Sequence, residues 1–218
     1  MKIAGKKSVS HWNELKKKLT LQDNYSWEEA FDFFYTRMQT RYTNPIDEIL
    51  RIKKFEGEGF AIVNLQCSLI ETIECFINGW KFRDNPRGWF KKNEIENIKK
   101  HKNSTIFESF FLNRSEFAKA SIDGYDFYTS VRCGLLHETQ TKNNWKIKRN
   151  DSRKELDWYS QRDDLKTIYP HQLNCILKSL IIRFKTAITT GKDFDKISNT
   201  NLRENFIDKM NYICTNSM

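Results

Sequence analysis

An arginine and a histidine near the middle of the chain are the strongest candidates for a chemical centre. Arg132 and His137 are separated by four residues within the stretch YDFYTSVRCGLLHETQTKNNW, Tyr125–Trp145. A guanidinium group stays cationic at physiological pH, and imidazole is the side chain that exchanges a proton most readily near neutral pH. A centre built from this pair would combine a fixed positive charge with a proton-transfer group.

The spacing of this pair is common by chance, so its weight comes from its position in the chain. Apolar residues recur at helical spacing just before it, which predicts an amphipathic helix running into the pair. These residues are Tyr125, Tyr128, Val131 and Leu135. Residues five apart on an α-helix differ by about 140° around its axis. The two side chains therefore diverge, unless the helix ends or distorts at Gly134 or a symmetric dimer brings two pairs together.

Several common enzyme classes are excluded by the absence of their motifs. The chain contains no GxGxxG, GxxxxGK[ST], GxSxG or HExxH pattern, which argues against dinucleotide-binding, P-loop, esterase and zinc-protease sites. Its four histidines and five cysteines show no metal-ligand spacing. We therefore expect no metal and no cofactor, and we interpret the dispersed cysteines as buried free thiols of a cytoplasmic protein.

The composition favours a helical protein that carries excess positive charge. Only 3 prolines and 8 glycines occur in 218 residues, while 39% of the residues are apolar and 14% are aromatic. This is enough apolar material for a packed core. The net charge of +9 favours polyanionic partners, nucleic acid above all. The codon bias of an AT-rich genome would explain the lysines equally well.

Periodicity and capping signals predict long helices through most of the chain. Ser26 and Glu29 form a capping-box pattern before an apolar face. The longest apolar helix is predicted over Phe60–Trp80, at the centre of a bundle. Glu71 and Glu74 lie on its mostly buried second half, where carboxylates usually need partners, and are assigned to a remaining solvent-facing stripe in preference to buried positions with partners. Further helices are predicted around Asn93–Lys102, Thr105–Leu112, Ser115–Ala120, Pro170–Gly191 and Thr200–Cys214, and no apolar run is long enough to span a membrane.

Two segments are predicted to be non-helical. Arg83–Trp89 is interpreted as a loop. Alternating residues at 145–148 and 156–158, on either side of a turn at Asn150–Ser152, predict a β-hairpin with a basic outer face. The expected architecture is thus an all-α bundle with extra N-terminal helices and one small hairpin insertion.

The segment Phe127–His137, FYTSVRCGLLH, resembles the signature of the HEPN superfamily (higher eukaryotes and prokaryotes nucleotide-binding). Members of that superfamily are helical bundles with an arginine, four to six intervening residues and a histidine near a helix end. The resemblance covers roughly Phe60–Thr190 and includes a long helix on each side of the motif. It implies a HEPN-like domain over residues 59–218, with residues 1–58 as a helical extension packed on it.

The resemblance implies a metal-independent endoribonuclease that acts as a homodimer in a toxin or phage-defence role, with an antitoxin or another regulatory protein as a possible partner. Arg132 would hold the phosphate, and His137 would transfer a proton during attack by the ribose 2′-OH. Tyr128 and Glu138 would support the pair. The downstream residues Lys142, Trp145, Lys146, Lys148 and Arg149 would bind RNA, with Trp145 stacking on a base.

Cys133 leaves a second function open. Active members of the superfamily usually carry a polar residue directly after the arginine, whereas this chain has a cysteine. The alternative is therefore a non-catalytic HEPN-like module that binds RNA, a nucleotide or a partner protein.

Overall fold

The computed structural model describes residues 2–52, 56–84, 87–91, 101–149 and 157–216. Most of these residues are helical, which confirms the helical class expected from composition and periodicity. The helices are α1 (Val9–Lys16), α2 (Trp27–Met38), α3 (Asn44–Ile52), α4 (Glu58–Asn78), α5 (Ser104–Asn113), α6 (Ser115–Ala118), α7 (Gly124–Asp126), α8 (Cys133–Glu138), α9 (Pro170–Thr190) and α10 (Asn199–Thr215). Among the described residues, Gln39–Thr43 and Phe127–Arg132 form π-helical turns.

The described strands form three small sheets. They are β1 (Lys2–Ala4), β2 (Lys7–Ser8), β3 (Lys81–Asp84), β4 (Arg87–Phe90), β5 (Trp145–Ile147), β6 (Tyr159–Arg162) and β7 (Leu165–Ile168). The pairs β1–β2 and β3–β4 are antiparallel, and the third sheet has the order β5-β7-β6. Within the segment predicted as a loop, Arg83, Asp84 and residues 87–89 therefore lie in paired strands, and Trp89 is buried.

Contacts divide the chain into two units whose segments alternate along the sequence. Unit 1 comprises Met1–Thr40, Thr72–Asn103 and Ile181–Met218, and unit 2 comprises Arg41–Glu71 and Ser104–Leu180. As a result, α4 and α9 each begin in unit 2 and end in unit 1. The boundary expected at residue 58 falls within the range Arg41–Glu71 of unit 2, and the division into an N-terminal extension and a HEPN-like domain stays a prediction.

Unit 1 has a core of interlocking aromatic rings. Phe206 lies at its centre, with four phenylalanine rings within 6.3 Å of its ring centroid, from Phe31, Phe34, Phe76 and Phe184. Arg203, one helical turn earlier, is fully buried and donates to the carbonyl oxygens of Leu21, Asp23 and Ile188 at 2.8–3.0 Å. The planar guanidinium of Arg203 thus provides hydrogen-bond donors for backbone carbonyl groups that lie beside an apolar core.

Unit 2 holds a second aromatic cluster and the three-stranded sheet. The ring of Phe111 lies 4.8 Å from that of Phe127 and 5.9 Å from that of Trp158. Strand β5 pairs in parallel with β7, and β6 pairs antiparallel with β7. The hairpin expected from residues 145–158 is therefore wrong: Trp145–Ile147 pairs with a strand further along the chain, and the true hairpin is β6–β7. The expected turn at 150–152 lies outside the described residues, as do residues 93–100 of the helix expected at Asn93–Lys102.

Helix α4 is long and apolar enough to cross a membrane by length and composition alone, although no uninterrupted apolar run in the sequence suggested it. Within its most apolar window, 61% is buried inside the protein, as in the core helix of a globular protein, so the evidence for a membrane span is weak. The helix also carries Glu74, which is fully buried and accepts a hydrogen bond from Asn78 at 2.7 Å. The expected solvent-facing position of Glu74 is therefore wrong.

Candidate functional site

The stretch that contains Arg132 and His137 is helical over its first half. Asp123 starts it, because its carboxylate accepts hydrogen bonds from the backbone N–H groups of Tyr125 and Asp126. The π-helical turn Phe127–Arg132 follows α7 and leads directly into α8, so Arg132 lies where π-helical backbone changes to α-helical. Single π-helical turns within helices are frequent at functional sites.

Gly134 does not end this helix. The helix continues to Glu138 and terminates where Thr139 adopts the left-handed conformation, with φ of 57°. A Cβ atom on Gly134 would lie 2.5 Å from the carbonyl oxygen of Gln140, because the following loop folds back along the helix. The same loop donates from the N–H of Lys142 to the carbonyl of Ser130 at 2.9 Å. Gly134 is required for this close approach.

Arg132 is held between an acidic side chain and an aromatic ring. One nitrogen of its guanidinium lies 3.7 Å from a carboxylate oxygen of Glu71 on α4, and both side chains are about a quarter exposed. Its Cζ atom lies 5.9 Å from the ring centroid of Tyr128, one turn earlier. The guanidinium is thus confined yet reachable from solvent.

Glu71 is the member of this cluster that sequence reasoning missed. It was expected on a solvent stripe of the long apolar helix, yet it is half-buried and paired with Arg132. The available signal was a carboxylate on a largely buried helix, which generally needs a partner. The identity of that partner depended on tertiary contacts.

Two cysteines lie near this arginine. Burial raises the pKa of the Cys67 thiol far above its usual range and outweighs the positive charge of Arg132, which lowers it. Cys67 is therefore a neutral thiol at physiological pH. Cys133 is half-buried, and all five cysteines are free, with Cys67, Cys75 and Cys214 buried.

His137 is exposed near the end of α8. The five-residue separation from Arg132 corresponds to about 140° around an α-helical axis, so the two side chains leave different faces of the helix. The neighbouring Glu138 forms an ion pair with Lys142, four residues later in the loop that follows α8. Glu138 therefore contacts the loop lysine.

A network of polar groups centred on Asp126 joins the helix, the loop and the sheet. The Asp126 carboxylate accepts from Ser130, from the indole N–H of Trp145 at 2.9 Å and from the ammonium of Lys166. Partial burial raises the pKa of Asp126, but these three donors outweigh that effect and the net pKa is lowered. The Asp126 hydrogen bond in turn raises the pKa of Lys166. Asn143 donates to Ser130 at 2.8 Å and closes the network.

The residues expected to bind RNA have different surroundings. Trp145 is 4% exposed, so the expected stacking role is wrong: its ring packs 5.4 Å from that of Phe127. Arg149 is half-buried and donates to the Glu58 carboxylate and the Leu50 carbonyl, which commits its guanidinium to a tertiary contact. Lys146 and Lys148 are exposed and remain available to a ligand.

Within the described part of the chain, no group of three or more His, Cys, Asp or Glu side chains is arranged to hold a metal ion. No protein-family model, curated protein or solved structure matches the chain.

Proposed function

We propose that this protein is a metal-independent endoribonuclease of HEPN type. The observation that carries the proposal is the local geometry of the motif: an arginine held by Glu71 and Tyr128, and an exposed histidine five residues later near the end of the same helix. Exposed Lys146 and Lys148 follow on the next strand and its end, where they can contact a phosphate backbone.

Arg132 is suited to hold the scissile phosphate. Its guanidinium offers a planar set of N–H donors that matches two phosphate oxygens, and the 3.7 Å separation from Glu71 is long for a direct hydrogen bond. Glu71 and the ring of Tyr128 limit where the guanidinium can go, so less side-chain freedom is lost when phosphate binds. The guanidinium would also offset negative charge that develops on the phosphate in the transition state.

His137 would carry the proton transfer. The ribose 2′-oxygen forms a bond to the adjacent phosphorus and loses its proton, while the bond from phosphorus to the 5′-oxygen breaks and that oxygen gains a proton. An exposed imidazole at a helix end can reach either oxygen. Only RNA supplies the 2′-OH, which makes RNA the substrate class.

The divergence of the two side chains favours a site made by two chains. Because Arg132 and His137 leave different faces of their helix, one helix does not direct both at the same phosphate. A twofold arrangement would place the arginine of one chain opposite the histidine of the other. The homodimer is therefore part of the proposal.

The test is RNA cleavage by the His137→Ala variant in buffer that contains EDTA. Because His137 is exposed, we expect the variant to keep the wild-type melting temperature and to lose cleavage by about 10²-fold or more, as for loss of a general acid or base. Wild-type cleavage should give a 2′,3′-cyclic phosphate and a 5′-hydroxyl. A His171→Ala variant, which removes another exposed histidine, is the matched control and should cleave normally. Undiminished cleavage by His137→Ala would contradict the mechanism.

Cys133 and the Arg132–Glu71 contact favour a second candidate, a non-catalytic module that binds RNA, a nucleotide or a partner protein. Cys133 offers no strong hydrogen-bond donor beside the arginine, and Glu71 competes with phosphate for the guanidinium. This candidate predicts salt-sensitive RNA binding with the RNA recovered intact. EDTA-resistant cleavage that is lost in His137→Ala argues for the enzyme.

A further inference from the structure

An open groove lies in unit 1 between α2 and the end of α9. Its volume is about 580 Å³. Its floor is apolar, because Phe31 and Ile181 line it; both are almost completely buried, and the ring centroid of Phe31 lies 5.3 Å from that of Phe184. The groove thus lies over side chains that are packed in the core of unit 1.

The rim of the groove exposes apolar side chains to solvent. Ile182 on α9 is 63% exposed, and Tyr35 on α2 is 39% exposed. Single exposed apolar residues are common on protein surfaces. Here the two contribute to one groove with an apolar floor, which is the arrangement expected of a surface that receives another apolar group.

The wall formed by α2 is acidic although the chain is basic. Glu28, Glu29 and Asp32 line it, and Lys185 is the one cation among the lining residues. Glu28 pairs with Lys185 at 2.8 Å, an exposed ion pair that contributes little to stability. Asp32 pairs with Lys7, whereas Glu29 has no ion pair within the described part of the chain. The groove is therefore locally negative on a molecule of net charge +9.

The length of the wall defines the size of its occupant. Glu28, Asp32 and Tyr35 follow one face of α2, and the first and last are seven positions apart, or about 10 Å, which is close to two turns of a helix. A helix laid in a groove contacts it through apolar residues spaced three and four apart, and its flanking positions meet the walls. We propose that this groove binds a basic amphipathic helix of a partner protein, with apolar residues on the floor and Lys or Arg against the α2 carboxylates.

The experiment uses the full chain and a synthetic probe. The probe is a labelled amphipathic peptide of Leu, Ala and Lys, roughly 14 residues long, near the shortest length at which an isolated helix forms. Two comparison peptides carry Glu in place of Lys or the same residues in scrambled order. Fluorescence anisotropy should show the basic peptide binding about tenfold or more tightly than either comparison, with affinity that falls as salt rises.

Two substitutions and two controls locate the binding. Ile182→Asp and Glu29→Lys should each weaken the basic peptide about tenfold or more, because one removes apolar contact and the other reverses the wall charge. Both sites are exposed, so the variants should fold normally. Leu112→Asp and Glu204→Lys make the same chemical changes at other exposed positions and should leave binding unchanged.

Four results would overturn the proposal. The first two are unchanged peptide binding in Ile182→Asp and Glu29→Lys, and binding of the scrambled peptide as tight as that of the basic peptide. The other two are displacement of the basic peptide by spermidine at equal total charge, and self-association of the wild-type protein that Ile182→Asp abolishes. The spermidine result would indicate a site for small cations, and the self-association result would indicate a second copy of this chain in the groove. None of these results depends on RNA cleavage, so this inference and the proposed ribonuclease activity can fail separately.

Discussion

Trp145 connects three parts of unit 2 through a single side chain. Its indole N–H donates to Asp126, its ring packs on Phe127, and the ammonium of Lys166 lies 5.4 Å from its centroid. These contacts join the helix before the motif, the first strand of the sheet and the central strand. A side chain buried in this way contributes to folding rather than to base stacking.

We expect Trp145→Phe to lower stability without changing RNA affinity. Phenylalanine keeps most of the apolar surface but removes the hydrogen bond to a charged carboxylate, which should cost about 1–3 kcal/mol of unfolding free energy. Urea denaturation and RNA-binding titration check the two effects. Lys146→Ala, at the adjacent exposed position, should weaken RNA binding and leave stability unchanged. If Trp145→Phe instead weakened RNA binding and left stability unchanged, Trp145 would act in base stacking.

Asp126 should make stability depend on pH at the acidic end. Its pKa in the folded protein is lowered, the net result of burial, which raises it, and of the Lys166, Ser130 and Trp145 donors, which together outweigh burial. The unfolded chain therefore binds the proton more readily. The stabilisation is fully present above the unfolded pKa of about 4 and is lost as pH falls through the lower folded pKa.

The Asp126→Asn variant measures this contribution. We expect it to be less stable than the wild type at pH 7, with a difference that shrinks as pH falls below about 4. Unfolding free energies from urea titrations at several pH values are the measurement. Asp163→Asn, at an exposed turn position, should leave the pH profile unchanged. If the difference in unfolding free energy between Asp126→Asn and the wild type did not change with pH, the charge of Asp126 would contribute nothing to stability.

At the scale of elements, Gly124 sets the distance between α7 and α5. A Cβ atom on Gly124 would lie 2.4 Å from the Cα of Glu108 and 2.7 Å from the carbonyl carbon of Phe107. These are backbone atoms, which cannot move aside as the end of a flexible side chain can. The start of the motif helix is therefore positioned by backbone-to-backbone contact.

Gly124→Ala should destabilise the protein by about 1–3 kcal/mol, the usual cost of overpacking a well-packed contact. Gly59→Ala is the matched control. There the added Cβ would lie 2.9 Å from Cγ2 of Ile147, a side-chain atom rather than backbone, and alanine has the higher helix propensity, so we expect a smaller loss than for Gly124→Ala. Thermal denaturation compares the two variants. If Gly124→Ala and Gly59→Ala had equal melting temperatures, α5 and α7 could move apart to accept the added Cβ atom without loss of stability.

Helices that depend on local signals were predicted well, and features that depend on distant partners were not. The expected helix from Pro170 to Gly191 matches α9, because its start signal and apolar period are contained in its own sequence. The capping box expected at Ser26 does not form, since its ψ of 2° is not extended, whereas Ser8 at ψ 173° forms one with His11.

The same limit applied to strand pairing and to the candidate site. Alternation identified Trp145–Ile147 as a strand but not its parallel partner β7, which follows later in the chain. Helical periodicity predicted the helix that runs into the Arg132/His137 pair, although not its continuation to Glu138, and the motif drew attention to both residues. It did not indicate Glu71 or the Asp126 network, because those contacts join segments that are distant in sequence.

At the scale of the whole molecule, the proposed composite site predicts complementation between two inactive variants. Arg132→Ala and His137→Ala should each abolish cleavage as homodimers. If the arginine of one chain acts with the histidine of its partner, a mixed dimer retains one intact site. The two variants are mixed in equal amounts under conditions that allow subunit exchange. Half of the resulting dimers are mixed, and each mixed dimer has one intact site out of two, so about a quarter of the wild-type activity should return.

The double variant Arg132→Ala/His137→Ala separates the possible arrangements. Mixed with wild type, it should leave no intact site in a mixed dimer if each site takes one residue from each chain, because every site then contains one altered residue. A site contained within one chain behaves in the opposite way: the wild-type subunit of a mixed dimer stays active, and the two single variants never complement. Initial rates of RNA cleavage across the mixing series distinguish these outcomes. Because the helix directs Arg132 and His137 to faces about 140° apart, we expect complementation between the single variants and inhibition by the double variant.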